Sequence, residues 1–530
     1  MDTVTEIPFS SLPGFPRLFL DYVAGTPELE TLYDFRPDQK GYEYAIRKVQ
    51  AGNYNRALLA SVLKQQYERT PDIFPAALAD RLAQPGSCTV TTGHQLCLVG
   101  GPSYFVYKIA SVIKLAEKLS QMYGANVVPV YWMASEDHDI DEIRSVTMFG
   151  KKITWNTPQH GAVGRLTTDD LSMFIEEVTG VLGSSPKALE MSAVLKKIYA
   201  PGKTLAQATR EFVHWLFGDK IIVLDPDHAE LKRMMTAIFT EELRDSTSEK
   251  LVLETNAFLS SKGYATQVNP RKINLFHLDG TSRQRIEHGT DGLHVVNDGS
   301  MFSKGHDFLE ELKNAPENFS PNVVLRPVYQ QLILPNVAYV GGPGEIVYWL
   351  QYKKMFDHYR VSLPVLQPRF FGMQISSKDV EWMNKNRVTV TELMSDFDEA
   401  LKKKLADRAG EELSLENEKE VIELLRSTIA DKASRADATL RAFAEAEMKK
   451  AGDALKVVEV RMIRAIKQRE EVFTSQFRKL RDKLLPENVL QERVENFCSL
   501  SIANGIDVNA LLSSELFPVN GVRILTVQPG

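Results

Sequence analysis

The chain has 530 residues, 43% of them apolar and 25% charged, and a formal net charge of −6. These values exclude a disordered chain and a general nucleic-acid surface, and the length exceeds one ordinary core, so two or three domains are expected. No apolar run approaches the roughly 18 residues of a membrane span, and the start Met1-Asp2-Thr3-Val4-Thr5-Glu6 lacks the positive region of a secretion signal, so no membrane and a cytoplasmic location are expected.

From about residue 86, short apolar runs alternate with helical stretches, the pattern of a parallel α/β sheet. Residues 88–92 read as a strand and lead into Thr92-Gly93-His94-Gln95, which brings an imidazole and an amide to its end. Cys88, Cys97 and Cys498 have neither zinc nor disulfide spacing and read as buried free thiols. Next comes Val99-Gly100-Gly101-Pro102-x-x-x-Val106-Tyr107. Its glycines permit positive φ and close backbone approach, and its proline suits a first helical position. Phe105, Ile109, Val112, Ala116 and Leu119 then follow at helical spacing as far as Gly124, a C′ residue. Free N–H groups and the dipole at such a helix start attract phosphate or carboxylate, with Lys108 in the helix behind them. An ordinary tight turn uses the same letters, and Lys108 also fits a solvated surface charge.

Residues 126–133 read as a buried strand, followed directly by Glu136-Asp137-His138-Asp139-Ile140-Asp141-Glu142. Ligands of open parallel sheets bind beyond the carboxyl ends of the strands, where this cluster falls. Mutually repelling carboxylates suit acid-base work and can hold Mg²⁺; an acid-rich helix start is the alternative. His138 has no second histidine at ligand spacing, so no metal set is assigned. Residues 220–224 form a further strand. The stretches at about 155–215 and 254–325 read as insertions, the second made of small strands and loops in which His277, His288, His294 and His306 have no metal spacing.

Arg326, Gln330 and Asn336 then offer guanidinium and amide donors just ahead of the second copy of the glycine motif, Val340-Gly341-Gly342-Pro343-x-x-x-Val347-Tyr348. Gly341, Gly342 and Gly344 are the corresponding cradle, and Glu345 lies at its helix start. Between Pro368 and Pro486 there is no proline, and apolar residues fall at spacings of 3, 4 and 7, which reads as three long amphipathic helices over 376–485. Reversals are expected at Gly410 with Ser414 and at Gly452 with Asp453. The stripe Met462, Ile466, Phe473, Phe477, Leu480 and Leu484 is the expected homodimer interface, and 486–530 is expected to return to a core spanning 1–375. No G-x-x-x-x-G-K-[ST] loop or G-x-S-x-G elbow occurs, which disfavours a P-loop ATPase and an ordinary α/β-hydrolase.

The strings Thr92-Gly93-His94-Gln95 through Gly100-Gly101-Pro102-Ser103-Tyr104, Trp132-Met133-Ala134-Ser135-Glu136-Asp137-His138-Asp139, and Arg326-Pro327 through Asn336 to Gly341-Gly342-Pro343-Gly344-Glu345 resemble the cysteine-adding enzyme family of bacillithiol biosynthesis. The likeness covers nearly the whole chain. It departs at His94, where the family pattern has Gln, and at Cys97, where it has a small residue. The resemblance implies a Rossmann-like α/β core related to class I synthetases, with connecting-peptide insertions and an α-helical coiled coil that makes the dimer. It also implies a ligase that joins the carboxyl of cysteine to the amine of glucosaminyl malate. Within that reading Glu136, Asp137, His138 and His94 are candidate catalytic residues. Gly93, Gln95, Gly100, Gly101, Tyr104, Lys108, Arg326, Gln330, Asn336, Gly341, Gly342, Gly344 and Glu345 are candidate substrate or nucleotide contacts. ATP and Mg²⁺ are compatible cofactors, although the sequence does not show ATP dependence. A non-catalytic coiled-coil assembly protein with a ligand-sensing α/β domain is the alternative, and a tRNA-modifying enzyme is disfavoured by the net charge.

Overall fold

The computed structural model describes residues 1–280, 282–289, 292–297, 300–302, 307–409 and 415–526. Five strands, β1 (Cys88–His94), β2 (Val127–Met133), β3 (Ile222–Leu224), β4 (Asn336–Gly341) and β5 (Val365–Pro368), form one parallel sheet in the order β5-β4-β1-β2-β3. Read from the other edge this is 3-2-1-4-5, the strand order of a Rossmann-like fold. Every residue of the five strands is buried. A sheet covered on both faces needs no polar alternation, which is why residues 126–133 read as one apolar run. The threonines of β1 are polar but satisfied. Thr89 and Thr91 donate to Asn336 Oδ1, and Thr92 donates to the Val340 carbonyl at 2.7 Å, tying β1 to β4.

The chain reverses its winding between β1 and β4, so the connections after these two strands leave in opposite directions and open a crevice at their carboxyl ends. Helix α1 (Tyr104–Tyr123) follows β1, α2 (Arg326–Ile333) precedes β4, and α3 (Pro343–Leu350) follows it. Region 155–215 carries the helices Ser172–Leu182, Pro186–Ile198 and Leu205–Phe217. Region 254–325 holds an antiparallel sheet of Ser300–Phe302, Gly292–Asn297, Ser282–Gly289, Leu275–Asp279 and Phe319–Pro321 in that order.

The chain divides into a unit of residues 1–374 with 491–530 and a second unit of residues 375–490. In the first unit the strand Gly521–Thr526 pairs antiparallel with Asp2–Pro8 and parallel with Gly372–Gln374, which joins both ends of the chain into one small sheet.

The second unit contains α4 (Phe397–Ala409), α5 (Glu416–Ala436), α6 (Leu440–Arg469) and α7 (Glu471–Leu484). Two expectations are corrected here. Gly452 and Asp453 lie inside α6, and the reversal falls instead at 437–439, where Asp437 Oδ1 accepts from the Thr439 N–H at 2.8 Å and from its hydroxyl at 2.7 Å. One interior glycine costs a helix only about 1 kcal/mol, which a 30-residue helix tolerates. The expected reversal at Gly410 and Ser414 lies outside the described residues. The second correction concerns the proposed dimer stripe. Ile466, Phe473, Phe477, Leu480 and Leu484 are buried within the chain itself. Phe473 stacks on Trp382 at 5.4 Å, and Phe477 packs against Phe397 and Phe473.

Candidate active site

A cavity of about 530 Å³ opens at the carboxyl ends of β1, β2 and β4, at the point where the winding reverses. Gly93, His94, Gln95, Tyr104, Lys108, Glu136, Asp137, His138, Arg326, Gly342, Gly344 and Glu345 all line it. Gln330, Asn336, Gly341, Gly100 and Gly101 do not. Gln330 lies behind the wall, where its Oε1 accepts from Arg326 Nη1 at 2.9 Å. Asn336 is inside the sheet, and Gly341 ends β4 with its carbonyl bonded to the Arg369 N–H.

The two glycine motifs meet through one ion pair. Lys108, on the first turns of α1, is only 2% exposed, so it is not a solvated charge. Its Nζ donates to the Gly93 carbonyl at 2.6 Å and lies 2.8 Å from Glu345 Oε2. Glu345 also accepts from the Tyr339 hydroxyl at 2.6 Å and from the Gly342 N–H at 2.8 Å. Burial pulls the Lys108 pKa down against the opposing pull of Glu345. Burial alone would raise the Glu345 carboxyl, but Lys108 and the Gly342 N–H outweigh it and hold it below the usual range.

The anion-cradle expectation is corrected for both motifs, because the chain fills each helix start itself. In the first motif Gly100 and Gly101 do take positive φ, at 76° and 57°. However, Pro102 precedes α1 rather than opening it, and the turn is closed by the C-terminal segment. Asn496 Nδ2 donates to the carbonyls of Val99 and Gly101, and the Ser103 N–H donates to the Glu495 carbonyl at 2.8 Å. In the second motif Pro343 does open α3, but neither Gly341 nor Gly342 has positive φ, Gly342 lying at −78°. The carboxylate of Glu345 occupies its capping position.

The acidic cluster divides in two. Asp139 caps the short helix Ile140–Ile143, and Asp141 pairs with Arg144 at 2.7 Å, so this half is an acid-rich helix start. Glu136, Asp137 and His138 face the cavity. Glu136 pairs with Lys232 Nζ at 2.6 Å, and Lys232, itself fully buried, also reaches Asp227 at 3.0 Å. Gln95 Nε2 donates to Asp137 Oδ2 at 3.0 Å and to Glu142 Oε2 at 2.5 Å. Burial raises the Glu142 carboxyl pKa. Among the described residues no group of three or more His, Cys, Asp and Glu is arranged to hold a metal ion.

His94 is neutral, its pKa lowered to about 3 by burial and by Lys108. Its Nδ1 lies 2.8 Å from the Gln95 carbonyl, which only accepts, so Nδ1 carries the proton. Burial raises the Cys97 thiol to about 12, which makes it inert rather than nucleophilic.

Several cations of the site escaped the sequence reading. Arg369, at the end of β5, lines the cavity, stacks over Phe371 at 4.0 Å and is gripped by Glu492 through two hydrogen bonds of 3.0 and 2.5 Å. Arg283 enters from the inserted sheet and Arg493 from the C-terminal segment. Lys232 follows the strand end Asp225-Pro226 in the sequence, a position that does signal a site. Arg283 and Arg493 are distant in sequence from every strand end of the parallel sheet and carry no such signal.

A charged crevice at the reversal point of a Rossmann-like sheet is where open α/β folds place their ligand sites. Residues 3–370 match the family model described as bacillithiol biosynthesis BshC, N-terminal Rossmann-like domain, and residues 373–526 match that of the BshC C-terminal coiled-coil domain. A protein of Cytophaga hutchinsonii named "Putative cysteine ligase BshC" is 40% identical, the match covering 93% of each chain. Proteins of the same name from Flavobacterium johnsoniae (97% of this chain, 98% of the relative) and Salinibacter ruber (92% of each) are 35% and 30% identical. The chain belongs to the BshC family of bacillithiol biosynthesis.

Proposed function

We propose that the chain is an amide-forming cysteine ligase that joins the carboxyl of L-cysteine to the amine of glucosaminyl malate, the last step of bacillithiol synthesis. The observation that carries the reading is Arg326. Its Nη1 donates to Gln330, its guanidinium interacts with Tyr348, and the carboxylate that acts on it, Glu345, is already paired with Lys108. A buried cation that shares its counter-charge with a second cation, in a cavity of this size, suits an anionic ligand such as a malyl carboxylate or a phosphate. A free carboxyl needs activation before an amine attacks it, and ATP supplies that activation when bound. Arg326 would hold its phosphates as their cation. Asp137 accepts the proton of the attacking amine, while Glu136 is held too firmly by Lys232 for that task. The protein acts as a homodimer joined through the coiled coil in the cytoplasm. Deletion of this chain from cells is expected to abolish bacillithiol and accumulate the amino-sugar malate precursor; unchanged thiols with no precursor would favour a non-catalytic assembly protein instead.

A further inference from the structure

Arg283 lies on the strand Ser282–Gly289 and is held at all three guanidinium nitrogens. Nε donates to Ser320 Oγ at 3.1 Å, Nη2 to the Pro321 carbonyl at 3.1 Å, and Nη1 lies 2.9 Å from His138 Nδ1. The guanidinium also stacks 4.0 Å from the centre of the Phe276 ring, and its side chain is only 6% exposed, so it has no room to swing away. Arginine only donates hydrogen bonds. The nitrogen it faces must therefore present a lone pair, and a neutral imidazole whose Nδ1 accepts carries its proton on Nε2.

We propose that Arg283 is a positioning residue that fixes His138 as the Nε2–H tautomer, so that His138 donates a hydrogen bond to an anionic oxygen of the ligand instead of taking a proton. The ligand half of this statement rests on the ligase reading; the tautomer half does not. The surroundings agree. Asp137 Oδ1 lies 3.7 Å from Nδ1, and Asp139 and Arg285 are the other charges near the ring. Burial first and Arg283 second lower the His138 pKa, against the upward pull of Asp137 and Asp139, which keeps the ring neutral at pH 7. His94 is the complementary case: its Nδ1 carries the proton, so its Nε2 accepts. The cavity thus holds two histidines locked in opposite tautomers, one donor and one acceptor, and the proton-accepting role falls to Asp137.

The test is ¹⁵N-histidine NMR of the full chain at pH 7, with the His138 signals identified by their loss in His138→Gln. The proposal expects an unprotonated Nδ1 and a protonated Nε2. Arg283→Lys, which still donates, should keep that pattern, and Arg283→Met should shift it toward the other tautomer. In the ligase assay His138→Gln, whose amide N–H mimics Nε2–H, should stay within about tenfold of the native rate, whereas His138→Asn and His138→Ala fall by about 10² or more. A protonated Nδ1 in the native protein overturns the proposal, as does a folded Arg283→Met with an unchanged histidine spectrum or an equal loss in His138→Gln and His138→Asn. Where Arg283→Met fails to fold, the native spectrum and the Gln-against-Asn comparison decide. Native protein with the expected tautomer but no ligase activity refutes the reaction and leaves the tautomer standing.

Discussion

Lys108 and Glu345 stabilise the fold only as a pair, since each is a buried charge and each also holds a backbone group beside its own motif, the Gly93 carbonyl and the Gly342 N–H. Lys108→Met leaves an uncompensated carboxylate and is expected to cost about 3–5 kcal/mol, whereas Lys108→Met with Glu345→Met should recover much of that loss, read by denaturant unfolding. His94 carries a pH signature whose sign follows from its neutral state. The folded protein binds no proton on it until pH falls to about 3, but the unfolded chain binds one below 6.5. Stability is therefore full above pH 6.5 and is lost as pH falls, by about 2 kcal/mol between pH 6.5 and 5 at about 1.4 kcal/mol per pH unit. His94→Gln should flatten that part of the profile; a midpoint that keeps its acid dependence in this variant would place the titration elsewhere.

At the scale of elements, identical strings build different structures because different neighbours complete them. A Cβ on Gly101 would lie 2.6 Å from Cys97 Cβ at a φ of 57°, while on its counterpart Gly342 it would meet nothing closer than Glu345 Oε2 at 3.4 Å, with φ at −78°. Gly101→Ala is accordingly expected to lower stability by about 1–3 kcal/mol through overpacking and strain. Gly342→Ala should stay within about 1 kcal/mol of native, both read by thermal unfolding, and equal losses would contradict the geometry. In the helical unit a Cβ on Gly452 would meet only Ile422 Cγ2, at 3.9 Å, among the described residues. Gly452→Ala should therefore raise stability by about 0.5–1 kcal/mol through helix propensity. A loss there would argue that α6 breaks at Gly452 after all.

At the scale of the molecule, the unsatisfied apolar surface is not where the phenylalanine stripe placed it. Val421, Leu424, Leu425 and Ile429 on α5 and Leu440, Phe443, Val457 and Val460 on α6 are exposed, Leu424 and Phe443 by 68% and 64%. Apolar residues recurring at helical spacing and exposed in the chain are what an interface would cover, and a coiled-coil domain is consistent with oligomerisation. Sedimentation is expected to show a native dimer that Leu424→Glu with Phe443→Glu converts to a folded monomer. Phe473→Glu with Phe477→Glu should instead unfold the helical unit, because those rings are internal.

Local order in the sequence marks β1, β2, β3 and the helical tract, because burial on both faces and a 3–4–7 spacing are written there, whereas β4 and β5 came only with the fold. The sequence also brought most of the cavity into view, since ligand groups lie at or next to recognisable features: Gly93 and His94 at the end of β1, Asp137 and His138 after β2, and Glu345 in the second glycine motif. Pairing partners are a different matter. That Glu345 rather than a ligand caps α3, that Asn496 closes the first glycine turn, that Arg283 reaches His138 from an inserted sheet, and that Phe473 meets Trp382 were all decided by residues far apart in the chain. Local sequence fixes which groups seek partners, but only the tertiary structure chooses among the many in the chain that could satisfy them.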